Sequence, residues 1–285
     1  MTNAAQTPTP FPRGVFEASM NLLEKQLWLF KKAPEFTALL AECPSDQHRQ
    51  MIIDLLARTT YVSAVQYFDI IDQMREHVET VWKLTPAETL FVSSNNKHHI
   101  DSSKEVLNQL KSSAWKNSAW NRQQFHVAFS SAINAAKDGY TLVITDDFVG
   151  SGGSMLKALD WFVRESNKKN ISIDLRVLTA GGCQEGISNI RSNGYTVECM
   201  LTIKKGLSDY LSGQSLSDAL SQMTDLENAL AKISINSFCN YRLGWGQQEA
   251  IYVRQGGNTP NNVFPIFWWR RLKHGKVRGS IMHRT

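Results

Sequence analysis

The sequence lacks any apolar run long enough to cross a membrane. Among its 285 residues, no such run approaches the roughly 20 residues that a membrane-spanning helix needs. Residues 1–12 are polar and rich in Pro and Thr, without the apolar core of a signal peptide. These absences argue against membrane and secreted proteins. We therefore expect a cytoplasmic location, no membrane contact and a short flexible tail over residues 1–13.

Cysteine is scarce, and no two cysteines are close in the sequence. The four cysteines are widely separated and form no CxxC pair: Cys43, Cys183, Cys199 and Cys239. This spacing excludes the common zinc and dithiol motifs. Free thiols in a reducing compartment are the simpler interpretation.

Acidic residues are absent after Glu249, which makes the end of the chain basic. Residues 270–285 carry six Lys and Arg side chains, whereas the whole chain has a net charge of only +5. The rest of the chain is therefore nearly neutral. A basic tail of this kind binds nucleic acid or an acidic protein surface, although it can also serve solubility alone. The candidate binding residues are Arg270, Arg271, Lys273, Lys276 and Arg278.

Hydrophobic periodicity divides the body of the chain into three regions. Residues 14–86 carry apolar side chains at steps of three and four, which predicts a helical region. Residues 87–210 alternate short β-branched runs with helical patterns, which predicts a mainly parallel sheet flanked by helices, an α/β fold. Within that core we predict a loop over residues 112–122 and a helix over about 124–137. Residues 211–269 form a C-terminal extension packed on the core.

The most informative segment is residues 140–154, in which an apolar strand ends in two adjacent carboxylates and a small-residue loop. The carboxylates, Asp146 and Asp147, can accept hydrogen bonds from sugar hydroxyls or reach a metal ion through water. The loop offers backbone N–H groups to a phosphate at the start of a helix. Its residues are Gly150, Ser151, Gly152, Gly153 and Ser154. The alternative is an ordinary strand–helix turn with a solvated acidic pair.

A second polar loop follows the first predicted core strand. It contains Ser94, Asn95, Asn96 and Lys97. The lysine can offset negative charge, and exposed N–H groups of the loop can donate to an anion. A polar turn with a solvated lysine is the alternative.

The order of strand, acid pair and glycine loop resembles the phosphoribosyl-pyrophosphate (PRPP) motif of type I phosphoribosyltransferases. Near the C-terminus, residues 241–253, the string NTPNN at 258–262 and FPIFWW at 264–269 resemble the extension of the PRTase-CE family. This resemblance covers about residues 16–269. It implies a phosphoribosyltransferase-like fold, with the 5′-phosphate at residues 150–154 and the pyrophosphate at residues 94–97. The ribose hydroxyls would lie on Asp146 and Asp147, the candidate catalytic residues, and Mg²⁺ would bind mainly through substrate oxygens.

The resemblance also implies a role as an effector in prokaryotic defence against phage. Such an effector would transfer a ribosyl phosphate group or cleave an N-glycosidic bond. The alternative is a non-catalytic module that senses a nucleotide and docks, through the basic C-terminus, on nucleic acid or on a partner such as a reverse transcriptase. A homodimer is expected from the phosphoribosyltransferase resemblance alone. Residues 112–122 contain Lys116 and Arg122 but match no known closing loop, and no nucleobase pocket is recognisable.

Overall fold

The computed structural model describes residues 11–95, 102–115, 119–120, 124–231 and 241–284. The helices are α1 (Arg13–Lys25), α2 (Ala33–Glu42), α3 (Asp46–Ala57), α4 (Ala64–Glu76), α5 (Ser102–Gln109), α6 (Phe129–Ala135), α7 (Gly153–Lys168), α8 (Gln184–Ser192) and α9 (Gly213–Asn228). The strands are β1 (Thr60–Val62), β2 (Thr89–Ser93), β3 (Phe125–His126), β4 (Tyr140–Val149), β5 (Ile173–Cys183), β6 (Thr196–Ile203) and β7 (Tyr252–Arg254). Within these ranges, no helix has both the length and the hydropathy of a membrane span.

Five strands form one parallel sheet in the order β3–β2–β4–β5–β6. Strand β2 reads TLFVS and is buried along its whole length. Strand β5 is buried over most of its length, and β4 is buried at half of its positions. Nearly continuous apolar strands are typical of parallel sheets that are covered on both faces. The molecule is therefore α/β, with a mainly parallel sheet flanked by helices, which confirms the predicted fold class.

Alternate residues of the central strands enter two different cores. On one face, side chains such as Val92, Leu142 and Ile144 pack with apolar residues of α6, α7 and α8. On the other face, Phe91 and Val143 pack with the N-terminal helices and with residues 250–282. Both ends of the chain thus cover the same face of the sheet.

The N-terminal helices and the C-terminal extension are also joined directly. Strand β1 pairs in parallel with β7, with Thr60 beside Tyr252. The guanidinium of Arg254 donates to both carboxylate oxygens of Glu105 in α5, at 3.1 and 2.7 Å. It also lies 4.1 Å from the ring centre of Tyr67 in α4. Elements from three parts of the sequence therefore meet behind the central sheet.

Residues 112–122, predicted as a loop, are helical at residues 112–114, and the two tryptophans of the range are buried. A π-helical turn covers Leu110–Ala114. Trp115 and Trp120 then pack with their ring centres 4.8 Å apart, and Phe91 of β2 lies 5.0 Å from Trp115. The loop prediction is wrong here because contacts with the sheet decide the conformation of a locally polar sequence.

The helix predicted over residues 124–137 is shorter than expected. Residues Phe125 and His126 form strand β3 beside β2, and α6 begins only at Phe129. The ring of Phe125 stacks on that of Phe91, with 5.2 Å between the centres. A cross-strand aromatic contact of this kind stabilises the edge strand, which local helical periodicity does not reveal.

The basic C-terminal segment folds back onto the extension instead of forming a separate tail. Ile281 and Met282 are buried, and the Met282 N–H donates to the carbonyl of Phe267 at 2.9 Å. Residues 271 and 277 face each other across an antiparallel bridge. At the other end, residues 1–10 of the expected flexible tail lie outside the described ranges, while Phe11 packs against the core.

Candidate functional site

Strand β4 carries Asp146 and Asp147 to the carboxyl edge of the sheet. The strand is fully buried from Leu142 to Thr145 and half-buried from Asp146 to Phe148. Asp146 lies beside Thr179 of β5 in the register of the sheet. Open parallel sheets bind their ligands at this edge. The strand therefore places the acidic pair where a ligand would lie.

A tight glycine turn joins β4 to α7. Gly152 has a φ of +81°, which glycine adopts at little cost, and a Cβ there would lie 2.8 Å from the carbonyl oxygen of Gly186. A Cβ on Gly186 would lie only 1.8 Å from the carbonyl oxygen of Gly150. Because these glycines lack side chains, the turn packs directly against the backbone of α8. This close packing fixes the backbone conformation of the turn.

The glycine turn places the N-terminus of α7 beside a cavity. Gly150, Ser151, Gly152 and Ser154 line this cavity, and Gly153 is the first residue of the helix. The first turn of α7 contains no acidic residue. The first N–H groups of a helix lack intrahelical partners, and the helix dipole adds partial positive charge there. The arrangement can therefore bind an anion such as phosphate.

Asp146 is the carboxylate that faces the cavity. It lines the cavity wall and accepts a hydrogen bond from the side chain of Ser94. The N–H of Asp147 donates to its Oδ1 at 2.8 Å. Burial, followed by the charge of Asp147, raises the pKa of Asp146 well above its usual range. A cation or a donating hydroxyl beside Asp146 would stabilise the ionised form that burial disfavours.

Asp147 has different surroundings. Burial, followed by the charge of Asp147, raises the pKa of Tyr252. The same charge acts on Tyr67 and Arg254, which belong to the helices and strands behind the sheet. The two adjacent carboxylates are therefore unequal, with Asp146 at the cavity and Asp147 near aromatic and cationic side chains of α4 and β7.

The cavity has a volume of about 510 Å³, within the range of about 300–1,000 Å³ that is usual for small-molecule sites. Ser94 and Asn95, from the loop after β2, also line this cavity. The Ser94 N–H donates to the carbonyl of Thr145 at 2.9 Å, which fixes this loop beside β4. The other two residues of the predicted pyrophosphate loop, Asn96 and Lys97, lie outside the described residues.

The C-terminal extension supplies a third wall through Trp245, Asn261 and Asn262. A Cβ on Gly150 would lie 2.2 Å from the side-chain oxygen of Asn262. The Asn262 amide donates in turn to the carbonyl of Trp245 at 2.9 Å. The extension therefore touches the backbone of the glycine turn, and it belongs to the site.

Comparison with protein families identifies the group to which this arrangement belongs. The family model PRTase-CE matches residues 41–275, well over half of the 285 residues. The chain belongs to the PRTase-CE family. The match begins within α2, later than the residues 16–269 over which the resemblance was expected, and it includes the whole extension. The family and the fold together make the protein phosphoribosyltransferase-like.

Solved structures with similarity to this PRTase-CE chain include three phosphoribosyltransferases. Orotate phosphoribosyltransferase from Aeropyrum pernix is 12% identical, with a TM-score of 0.30 over 55% of this chain and 74% of that one. The enzyme of the same name from Mycobacterium tuberculosis H37Rv, in complex with inorganic phosphate, is 11% identical, with a TM-score of 0.29 over 55% and 77%. Helicobacter pylori xanthine-guanine-hypoxanthine phosphoribosyltransferase is 11% identical, with a TM-score of 0.30 over 50% and 87%. The comparison with curated proteins finds no match.

Sequence reasoning missed several residues that line the cavity in this PRTase-CE protein, and three of them carry hydrogen-bonding side chains. Ser103 is buried in α5, Lys157 is exposed on α7, and Trp245 belongs to the extension. Helical spacing contains a signal for Lys157, because it lies three residues, or about one turn, after Ser154. No comparable local signal exists for Trp245, since only the fold brings the extension to the turn.

The donor set at the cavity fits a magnesium ion held mainly by a substrate. Among the described residues, no group of three or more His, Cys, Asp or Glu side chains could hold a metal ion. Asp146 provides oxygen donors at the cavity, which Mg²⁺ prefers, and Mg²⁺ commonly binds through one or two carboxylates and substrate phosphates.

The described cysteines are unsuited to nucleophilic chemistry. Cys43, Cys183 and Cys199 are buried free thiols. Burial raises the pKa of both Cys43 and Cys183 to about 12, and that of Cys199 to about 11. The thiolate is the reactive form of cysteine, so these side chains act as small apolar groups. Cys239 lies outside the described residues.

The basic residues of the C-terminal segment lie apart from the cavity and divide into two groups. Arg270, Arg271, Lys273 and Lys276 are exposed. Arg278 is 8% exposed, and its guanidinium donates to Glu42, at 2.8 Å, and to the carbonyls of Trp269 and Ile266. The sequence analysis predicted that Arg278 binds nucleic acid or a partner protein. In the structure its guanidinium is buried and hydrogen-bonded within the molecule instead.

Proposed function

We propose that the cavity binds PRPP, or a closely related ribose 5-phosphate derivative, together with Mg²⁺. The observation that carries the proposal is the convergence of three groups on one cavity. These are the N-terminus of α7, the carboxylate of Asp146, and the residues Ser94 and Asn95. They suit a phosphate, a ribose and a second anionic group, respectively.

Each part of the ligand has a chemically matching partner in this arrangement. The 5′-phosphate would bind the N–H groups of the glycine turn, at the positive end of the α7 dipole. Asp146 would accept hydrogen bonds from ribose hydroxyls, which would stabilise its ionised form. The pyrophosphate would lie against Ser94 and Asn95, and the Lys157 ammonium on α7 would add positive charge.

The bound Mg²⁺ would neutralise pyrophosphate charge, with Asp146 as the available protein carboxylate. In the reaction that the site supports, the bond from ribose C1 to the pyrophosphate oxygen breaks. A nitrogen nucleophile forms the new bond to C1 and releases its proton, and pyrophosphate leaves. The residues of this chain would contribute by holding the ligand and stabilising charge, which are large terms in such reactions. A role in defence against phage stays a prediction from the family resemblance.

The proposal is tested by calorimetric titration of the protein with PRPP and Mg²⁺. We expect Asp146→Asn to bind PRPP about 10- to 100-fold more weakly, because a hydrogen bond to a charged group contributes about 1.5–3 kcal/mol. Folding should be unaffected, because burial already disfavours the ionised carboxyl. The matched control is Asp160→Asn, which makes the same charge change at an exposed position of α7.

Two results would count against the proposal. One is a folded wild-type protein that binds neither PRPP nor ribose 5-phosphate. The other is an Asp146→Asn variant with the same affinity for PRPP as wild type. Binding without turnover would instead favour a sensing module over an enzyme.

The basic surface supports a second candidate function, docking on nucleic acid. Its four exposed cations lie on a short antiparallel segment in which the Leu272 N–H donates to the carbonyl of Lys276 at 2.8 Å. Binding to phosphates releases counterions, so the affinity would fall steeply as salt is raised. A titration with a fluorescent single-stranded RNA at several salt concentrations tests this candidate. Binding that is absent, or insensitive to salt, would exclude it.

A further inference from the structure

We infer that Trp245 is the stacking surface for a nucleobase, and that the cavity accepts a nucleoside 5′-monophosphate. The inference rests on the proposed function, because it assigns a ligand class to the same cavity. It goes beyond that function in giving the C-terminal extension a direct part in ligand recognition.

Trp245 is unusually exposed for a tryptophan of this protein. All eight tryptophans lie in the described ranges, and Trp245, at 38% exposed, is the one classed as exposed. Four others, Trp115, Trp120, Trp268 and Trp269, are at most 7% exposed. A large aromatic surface normally contributes to stability through burial. The Trp245 ring contacts the ring of Tyr241 at a steep angle, with 5.2 Å between centres. The surface that stays exposed lies at the cavity wall, where it is available to a planar ligand.

The backbone holds this indole in a fixed place. The Trp245 N–H donates to the carbonyl of Asn261 at 2.8 Å, and its carbonyl accepts from the Asn262 side chain at 2.9 Å. A Cβ on the preceding residue, Gly244, would lie 1.8 Å from the carbonyl oxygen of Asn262. These contacts hold the segment around Trp245 against Asn261 and Asn262.

The segment also has an unusual backbone. Three residues other than glycine adopt positive φ angles within seven positions: Leu243, Gln247 and Glu249, at 55°, 53° and 49°. Such conformations are strained for residues other than glycine and concentrate at functional sites. The three residues flank Trp245, which lines the cavity.

The position of Trp245 relative to the phosphate site suits a nucleotide. A Cβ on Gly246, the next residue, would lie 3.3 Å from the Cβ of Ser151 in the glycine turn. The phosphate-binding turn and the indole therefore adjoin each other on one cavity. Asn261 also lines this wall, and its amide has both donors and an acceptor for the edge of a base. Phosphate, sugar and base would each meet a matching group.

The test compares wild type, Trp245→Phe and Trp245→Leu in calorimetric titrations with AMP, GMP, CMP, UMP and ribose 5-phosphate. We expect wild type to bind at least one of the four nucleotides about 5- to 150-fold more tightly than ribose 5-phosphate, the range expected for stacking of one base on an aromatic side chain. Trp245→Leu should lose that preference, and Trp245→Phe should retain most of it. The affinity for ribose 5-phosphate should be equal in all three proteins.

The comparison with ribose 5-phosphate separates this inference from the proposed function. If ribose 5-phosphate binds but no nucleotide binds more tightly, the stacking role of Trp245 is overturned while the phosphate site stands. The same conclusion follows if the preference survives in Trp245→Leu. If none of the five ligands binds folded wild type, both proposals are overturned. Circular dichroism spectra identical to that of wild type would show that the variants are folded.

Discussion

Replacement of Glu227 by Gln should change how the stability of the protein depends on pH. Glu227 lies near the end of α9, is 1% exposed, and accepts hydrogen bonds from the Leu243 N–H at 3.0 and 3.3 Å. Burial is the main cause that raises its pKa from 4.5 to about 7, against the hydrogen bond from Leu243 and the charge of Arg242. A buried carboxyl thus holds the segment that leads into Trp245.

The sign of the effect follows from which state binds the proton. Because the folded-state pKa lies above the unfolded value, the folded protein binds more protons between about pH 4.5 and 7. The free energy of unfolding must therefore fall as the pH rises through this range. One pKa unit corresponds to about 1.4 kcal/mol, so the contribution of Glu227 should decrease by about 2–3 kcal/mol between pH 5 and pH 8.

Urea unfolding at pH 5, 6, 7 and 8 measures this change. A Gln side chain cannot ionise but keeps an oxygen that accepts from Leu243. The stability of Glu227→Gln relative to wild type should therefore rise by about 2–3 kcal/mol from pH 5 to pH 8. Glu24→Gln, at an exposed position of α1, is the control and should show no such trend. A difference between Glu227→Gln and wild type that is constant over this range would refute the reasoning.

Two further substitutions test the contacts around the extension. Gly150→Ala should weaken PRPP binding and lower stability by about 1–3 kcal/mol, because its Cβ would collide with the Asn262 side chain. The control is Gly14→Ala, in open space on α1, which should be neutral or stabilising. If the two substitutions had equal effects on the free energy of unfolding in urea and on PRPP binding in calorimetry, the contact between residue 150 and Asn262 would be contradicted. Arg278→Met should lower the free energy of unfolding by about 3–5 kcal/mol, because it leaves Glu42 without its buried partner. The exposed control, Arg270→Met, should stay within about 0.5 kcal/mol of wild type, and an Arg278→Met protein as stable as this control would show that the buried pair contributes little.

The part of the site that could be predicted from sequence is the part built from local contacts. Strand β4, the glycine turn and α7 occupy consecutive residues, 140–168. The apolar strand pattern, the acidic pair and the glycine spacing all lie within that one segment, and together they predict its structure. The order of strands and helices also follows from local periodicity, which explains why the α/β fold class was predictable.

The rest of the site depends on residues that are far apart in the sequence. Arg278 reaches Glu42 across 236 positions, so the exposure of a basic segment could not be judged from its charge. Trp115 is buried because it packs on Phe91 and donates to Glu79 at 2.7 Å. Sequence periodicity contains no information about such partners. Trp245 was overlooked for the same reason, since its neighbour at the cavity is the glycine turn almost a hundred residues earlier.

The extension also packs against the strand that carries the acidic pair, on the buried face of that strand. Tyr252 of β7 stacks on Phe148, the residue after Asp147, with 4.8 Å between ring centres. Arg254, two residues further, is held by Glu105 and by the ring of Tyr67. The strand that presents the carboxylates is therefore contacted by the extension on its buried face, while Trp245 and Asn262 contact the turn that follows it. A core without the extension would lose the support of both the acidic pair and the glycine turn, so the extension is part of the cavity and not a separate added domain.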